Sequence, residues 1–146
     1  MRIQEGKSDV IRAADNTGIA PMDRTEISLI VADWNVDELT MVSRSLALLG
    51  YRSTVAHTAK QLMEFLRRDV FEMAVVAIEL TWASQPILER LSRLPSLRCL
   101  VAIGPQGDSE MESLARLSGA DAYLSRPITT ETLAKALSLP LVSKQI

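Results

Sequence analysis

Asp33 ends the apolar run ISLIVAD, and a carboxylate at the mouth of a buried strand is the first group in this sequence placed to do chemistry. Alone it makes a poor magnesium site, because that ion demands near-octahedral oxygen ligation and is usually anchored by more than one carboxylate when no phosphate helps. Glu79, inside FEMAVVAIEL, is a second carboxylate; it stands two residues after Ala77 and so shares its strand face, although a solvated strand-end glutamate is the commoner arrangement. His57 is the only histidine and has no cysteine or second histidine near it, which reads as a polar strand end rather than a ligand or a base. Cys99 is the only cysteine; it cannot form an internal disulfide and reads as a small buried hydrophobe. ADWNVDE contains no glycine, which argues against a phosphate-cradling loop. Trp34 and Trp82 follow two of the apolar runs, where they either fill a pocket or cover a sheet edge.

These groups need elements to hold them. Ile27–Asp33 reads as a short buried strand. Leu39, Val42, Leu46 and Leu49 then recur at spacings of three and four, with Asn35 or Asp37 as the cap and Gly50 as the stop. Tyr51–His57 is a second strand and AKQLMEFLRR a second helix, while Phe71–Leu80 is apolar enough for a central strand buried on both faces. Pro86 can open a third helix whose inner stripe is Ile87, Leu88, Leu91 and Leu94. Leu100–Ile103 is a fourth strand. Asp108 or Ser109 starts a helix through Met111, Leu114 and Leu117 that ends at Gly119. Asp121–Ser125 is a fifth strand, and Thr129 or Thr130 starts a last helix through Leu133 and Leu137. Repeated strand–helix units without a hairpin signal imply an α/β fold, a doubly wound parallel sheet with helices on both faces.

The chain has 146 residues, 47% hydrophobic and 23% charged, which suits one soluble domain of ordinary size. A formal charge of −2 provides no basic field for nucleic acid or an anionic membrane. No apolar run approaches the roughly 20 residues of a membrane span. A cytoplasmic location is the expectation. Residues 1–25 hold few large apolar residues and no period and are expected to form a flexible extension, with 26–140 as the domain and 141–146 as a tail.

LIVADWNVDE, the glycine after helix one, FEMAVVAIEL and above all GADAYLSRP fall at spacings that resemble the response-regulator receiver family. The resemblance covers about Ile27–Leu139 and implies a flavodoxin-like five-stranded sheet of order 2-1-3-4-5, with a site at the switch point between strands one and three. It also implies which residues would stand in that site: Asp33 for the acids after strand one, Ala77 for the phosphoacceptor, Ile103 or Gly104 for the hydroxyl of strand four, and Arg126 for the lysine before the proline. A receiver places two neighbouring acids where Asp33 has Ala32 and Trp34 as neighbours. Its acceptor is a carboxylate nucleophile, and the methyl group of Ala77 has no lone pair to attack phosphorus. Arg126 keeps a cation but replaces a compact ammonium with a planar fork. The Arg126–Pro127 bond is cis in the family.

The expectation is a phosphorylation-independent pseudo-receiver with no catalytic residue, no cofactor and weak or absent magnesium binding. It would act in bacterial signalling by binding a protein partner or a second copy of itself through helix four, strand five and helix five. Met111, Arg116, Tyr123 and Thr132 are the candidates for that face. Two alternatives stay open: phosphorylation at Asp33, and a small-ligand sensor using the vacated crevice beside Trp34, Glu79 and Trp82.

Overall fold

The computed structural model describes residues 26–145, and the extension expected over residues 1–25 lies outside them. Along the chain come β1 (Leu29–Ala32), α1 (Val36–Leu48), β2 (Ser53–Ala56), α2 (Ala59–Arg68) and β3 (Met73–Ala77). A small ribbon of β4 (Thr81–Trp82) and β5 (Gln85–Pro86) follows, then α3 (Ile87–Leu91), β6 (Cys99–Gly104), α4 (Ser109–Leu117), β7 (Ala122–Ser125) and α5 (Thr130–Gln145). The five long strands pair in parallel in the order β2-β1-β3-β6-β7. With the ribbon set aside this is the 2-1-3-4-5 order that the resemblance implied.

Side-chain alternation along the strands divides the interior into two layers. Ile30, Ala74, Val76, Leu100 and Ala102 face Leu62 of α2, Ile87, Leu88 and Leu91 of α3 and Ala115 of α4. Leu29, Val31, Met73, Val75, Val101 and Ile103 face Leu39, Val42 and Leu46 of α1 and Leu133 and Leu137 of α5. Every residue of β1, β3 and β6 is buried, as central strands covered on both faces must be. No helix among the described residues is long and apolar enough to cross a membrane.

Four details depart from the sequence pattern. The ribbon was not foreseen: Ala83 and Ser84 turn it at φ of 54° and 64°, left-handed values that two-residue hairpin turns require and that Asn-Gly or Asp-Gly normally announces. Helix α3 stops at Leu91 instead of reaching Leu94, because Leu94 precedes Pro95, whose ring disfavours helical backbone before it. Leu94 still packs on the core from the following turn. In α4 the inner face runs through Met111, Ala115 and Ser118, so Leu114 is 44% exposed and Leu117 86%. The last helix runs on to Gln145, past the boundary expected at 140.

Candidate functional site

Asp33 is the first residue beyond β1. Its backbone N–H continues the ladder to the Ala56 carbonyl at 3.2 Å, and its side chain is 1% exposed. Its Oδ1 accepts the Asn35 N–H at 3.0 Å, while Asn35 caps α1 by accepting the Glu38 N–H at 3.1 Å. A glutamate three residues into a helix ordinarily reaches back to the cap's own N–H. Asp33 already holds that N–H, and Glu38 turns to Arg126 instead.

Arg126 follows β7, anchored by its N–H on the Gly104 carbonyl at 3.0 Å. Its guanidinium spans the carboxyl ends of the strands. Nη1 donates to Glu79 Oε2 at 2.9 Å and Nη2 to Glu79 Oε1 at 3.1 Å, a bidentate fork on one carboxylate. Nη2 also reaches Asp33 Oδ1 at 3.4 Å and Oδ2 at 3.5 Å. Nε lies 3.5 Å from Glu38 Oε1, an ion-pair contact without hydrogen-bond geometry, so this buried N–H has no hydrogen-bond partner. Trp34 closes the group from outside: Nε1 donates to Glu79 Oε1 at 3.3 Å, and Arg126 Cζ stands 5.8 Å from the centroid of its ring.

The three carboxylates do not respond alike. Burial pushes the Glu38 carboxyl above the usual carboxylate range, opposed by Arg126 and reinforced by Asp33. Burial also pushes Glu79 upward, but the hydrogen bonds and charge of Arg126 and the indole N–H of Trp34 outweigh it and leave its carboxyl below that range. Glu38 was not foreseen as a member of this group. Its signal was present, because position 38 lies one helical turn before Val42 on the buried face of α1.

A scan against protein-family models and a search of curated proteins returned no match. Solved structures do match. A CheY-like receiver domain from Methanospirillum hungatei JF-1 superposes with a TM-score of 0.69 at 20% identity, covering 82% of this chain and 96% of its own. The receiver domain of an HD-domain protein from Pseudomonas fluorescens Pf-5 gives 0.69 at 22%, covering 82% and 97%. A response regulator from Burkholderia pseudomallei, solved with a phosphorylated aspartic acid, calcium ion and citrate, gives 0.65 at 23%, covering 82% and 71%. The chain has the receiver fold.

On this receiver sheet Ala77 is the last residue of β3 and is fully buried. Ile103, its register partner on β6, turns into the layer beneath α1 and α5. The residue that meets Tyr123 is therefore Gly104. A Cβ built on Gly104 would overlap the Tyr123 hydroxyl, and that hydroxyl donates to the Pro105 carbonyl at 3.0 Å. Burial, followed by the charge of Asp108, raises the phenol above its ordinary value and keeps it a donor. Trp82 packs on the core from the ribbon, so only Trp34 of the two tryptophans joins the arginine group. The Arg126–Pro127 bond is cis.

The magnesium that the receiver fold implies does not fit this donor set. The carboxylates that would hold it are engaged by the guanidinium of Arg126, and β3 contributes a methyl group. Among the described residues no group of three or more His, Cys, Asp or Glu is arranged to hold a metal ion. The four candidates for an interaction face lie on α4, β7 and α5, and they differ in kind. Arg116 pairs with Glu112 at 3.3 Å on the surface of α4, and Met111 packs partly inward. Thr132 exchanges hydrogen bonds with Thr129 at 3.2 and 3.1 Å to start α5.

Proposed function

We propose that this chain is a pseudo-receiver, a protein-interaction module of bacterial signal transduction that works without phosphorylation and without a cofactor. One observation carries the reading: where a receiver needs an accessible carboxylate facing a metal, this chain has a buried Ala77 and carboxylates engaged by its own Arg126. A nucleophile requires a lone pair in reach of phosphorus. Ala77 supplies none, and Asp33 is buried and held by Arg126 and Asn35.

The docking surface in this reading is α4, β7 and α5, where Glu112 borders Tyr123 and pairs with Arg116. A half-buried aromatic among charged neighbours matches the composition of a protein interface. Incubation with acetyl phosphate and magnesium, followed by intact mass, tests the chemistry. No phosphoryl adduct is expected. An adduct that disappears in Asp33→Asn would replace the reading with phosphotransfer at that residue.

A further inference from the structure

A hollow of about 530 Å³ opens beside the Arg126 group, within the roughly 300–1,000 Å³ of small-ligand sites. Its walls are Trp34 after β1, His57 and Thr58 after β2, and Glu79, Leu80 and Thr81 after β3. These loops leave the carboxyl ends of three adjacent strands at the point where the strand order reverses, the crevice in which open parallel sheets hold ligands. The lining is largely apolar, and Trp34 keeps 54% of its surface exposed there. A flat or aliphatic body laid against the indole would cover that area.

The surrounding groups decide the sign of the ligand's charge. The amino end of α2 borders the hollow and would by itself favour an anion. Part of that donor capacity is spent within the chain: the Gln61 N–H goes to Thr58 Oγ1 at 3.1 Å, and the His57 N–H just before the cap goes to Gln61 Oε1 at 2.7 Å. Behind the opposite wall Asp33, Glu38 and Glu79 share one guanidinium, so the carboxylates there outnumber the cation. Glu79 is the member of that group that reaches the hollow.

We propose that this hollow binds a small organic cation, an ammonium or guanidinium group on an aromatic or aliphatic body. The body lies against Trp34 and Leu80, and the charge points to Glu79. The site is distinct from the α4–β7–α5 surface, so its failure would leave the interaction reading standing.

The test is titration of the whole chain with 2-phenylethylammonium, 2-phenylethanol and 3-phenylpropionate, followed by amide and indole NMR shifts. The ammonium is expected to shift Trp34 and His57 and to bind about tenfold more tightly than the propionate. Trp34→Ala, an exposed position, is expected to abolish binding of all three. Thr81→Lys, also exposed, places a positive charge at the rim and is expected to reverse the preference between ammonium and propionate. Equal affinity for the two charged probes, an absence of shifts at millimolar ammonium, or an unchanged preference in Thr81→Lys would overturn the proposal.

Discussion

At the scale of single residues the site depends on Arg126. Removing its side chain leaves Asp33 and Glu38 buried without a counter-charge, so Arg126→Ala is expected to cost about 3 kcal/mol, read by denaturant unfolding. Arg126→Lys keeps the charge but loses the fork on Glu79, and a smaller loss is expected. Glu79 contributes to the acid limb of stability. Its carboxyl is held below its unfolded value, so between the two values the unfolded chain binds more protons and stability rises with pH. The Glu79 contribution is therefore complete above the ordinary carboxylate range and is lost as pH falls through the folded value. A melting series in which Glu79→Gln shows a flatter decline in acid would bear this out; an unchanged decline would exclude it. Asp33 and Trp34 were legible in the sequence because each flanks an apolar run, and Arg126 because the stretch GADAYLSRP resembles the receiver family's. Glu38 was hidden because its usual partner, the cap N–H, had been taken by another residue two positions before the cap.

At the scale of elements the helices were more legible than the turns. Asn35, Thr58 and Asp108 cap α1, α2 and α4 with side-chain oxygens on the third residue's N–H, a short-range pattern that sequence displays directly. The ribbon was invisible because Ala83 and Ser84 adopt left-handed backbone without the residues that favour it. Ala83→Asn with Ser84→Gly is accordingly expected to raise stability by about 1 kcal/mol, measured by melting. The leucines of α4 misled for another reason: spacing of three fits either side of a helix, and only the close approach of Ala115 to the sheet shows which side is inside. At the end of β6, Gly104 leaves room that the Tyr123 ring occupies. Gly104→Ala is expected to expel the ring and to cost about 1–3 kcal/mol, with the altered ring position visible in the Tyr123 NMR signals.

At the scale of the molecule, one parallel sheet between two helical layers was readable from the alternation of apolar runs and amphipathic stripes, since both periods follow from backbone geometry alone. The state of the site was less readable, because it depends on where side chains from β1, α1, β3 and β7 converge across as many as 93 positions of sequence. Ala77→Asp tests that convergence. The new carboxylate would join three others around one guanidinium, so the variant is expected to melt below the parent and to regain part of the loss with magnesium. A variant that melts like the parent and ignores magnesium would show that the position is isolated from the group.

The fork of Arg126 also makes the strand ends interdependent. One side chain from the end of β7 is tied to groups that follow β1 and β3 and to α1, while Tyr123, three residues earlier, is seated against Gly104. A change at any one of these positions therefore reaches the others, and the crevice responds to substitution as a unit.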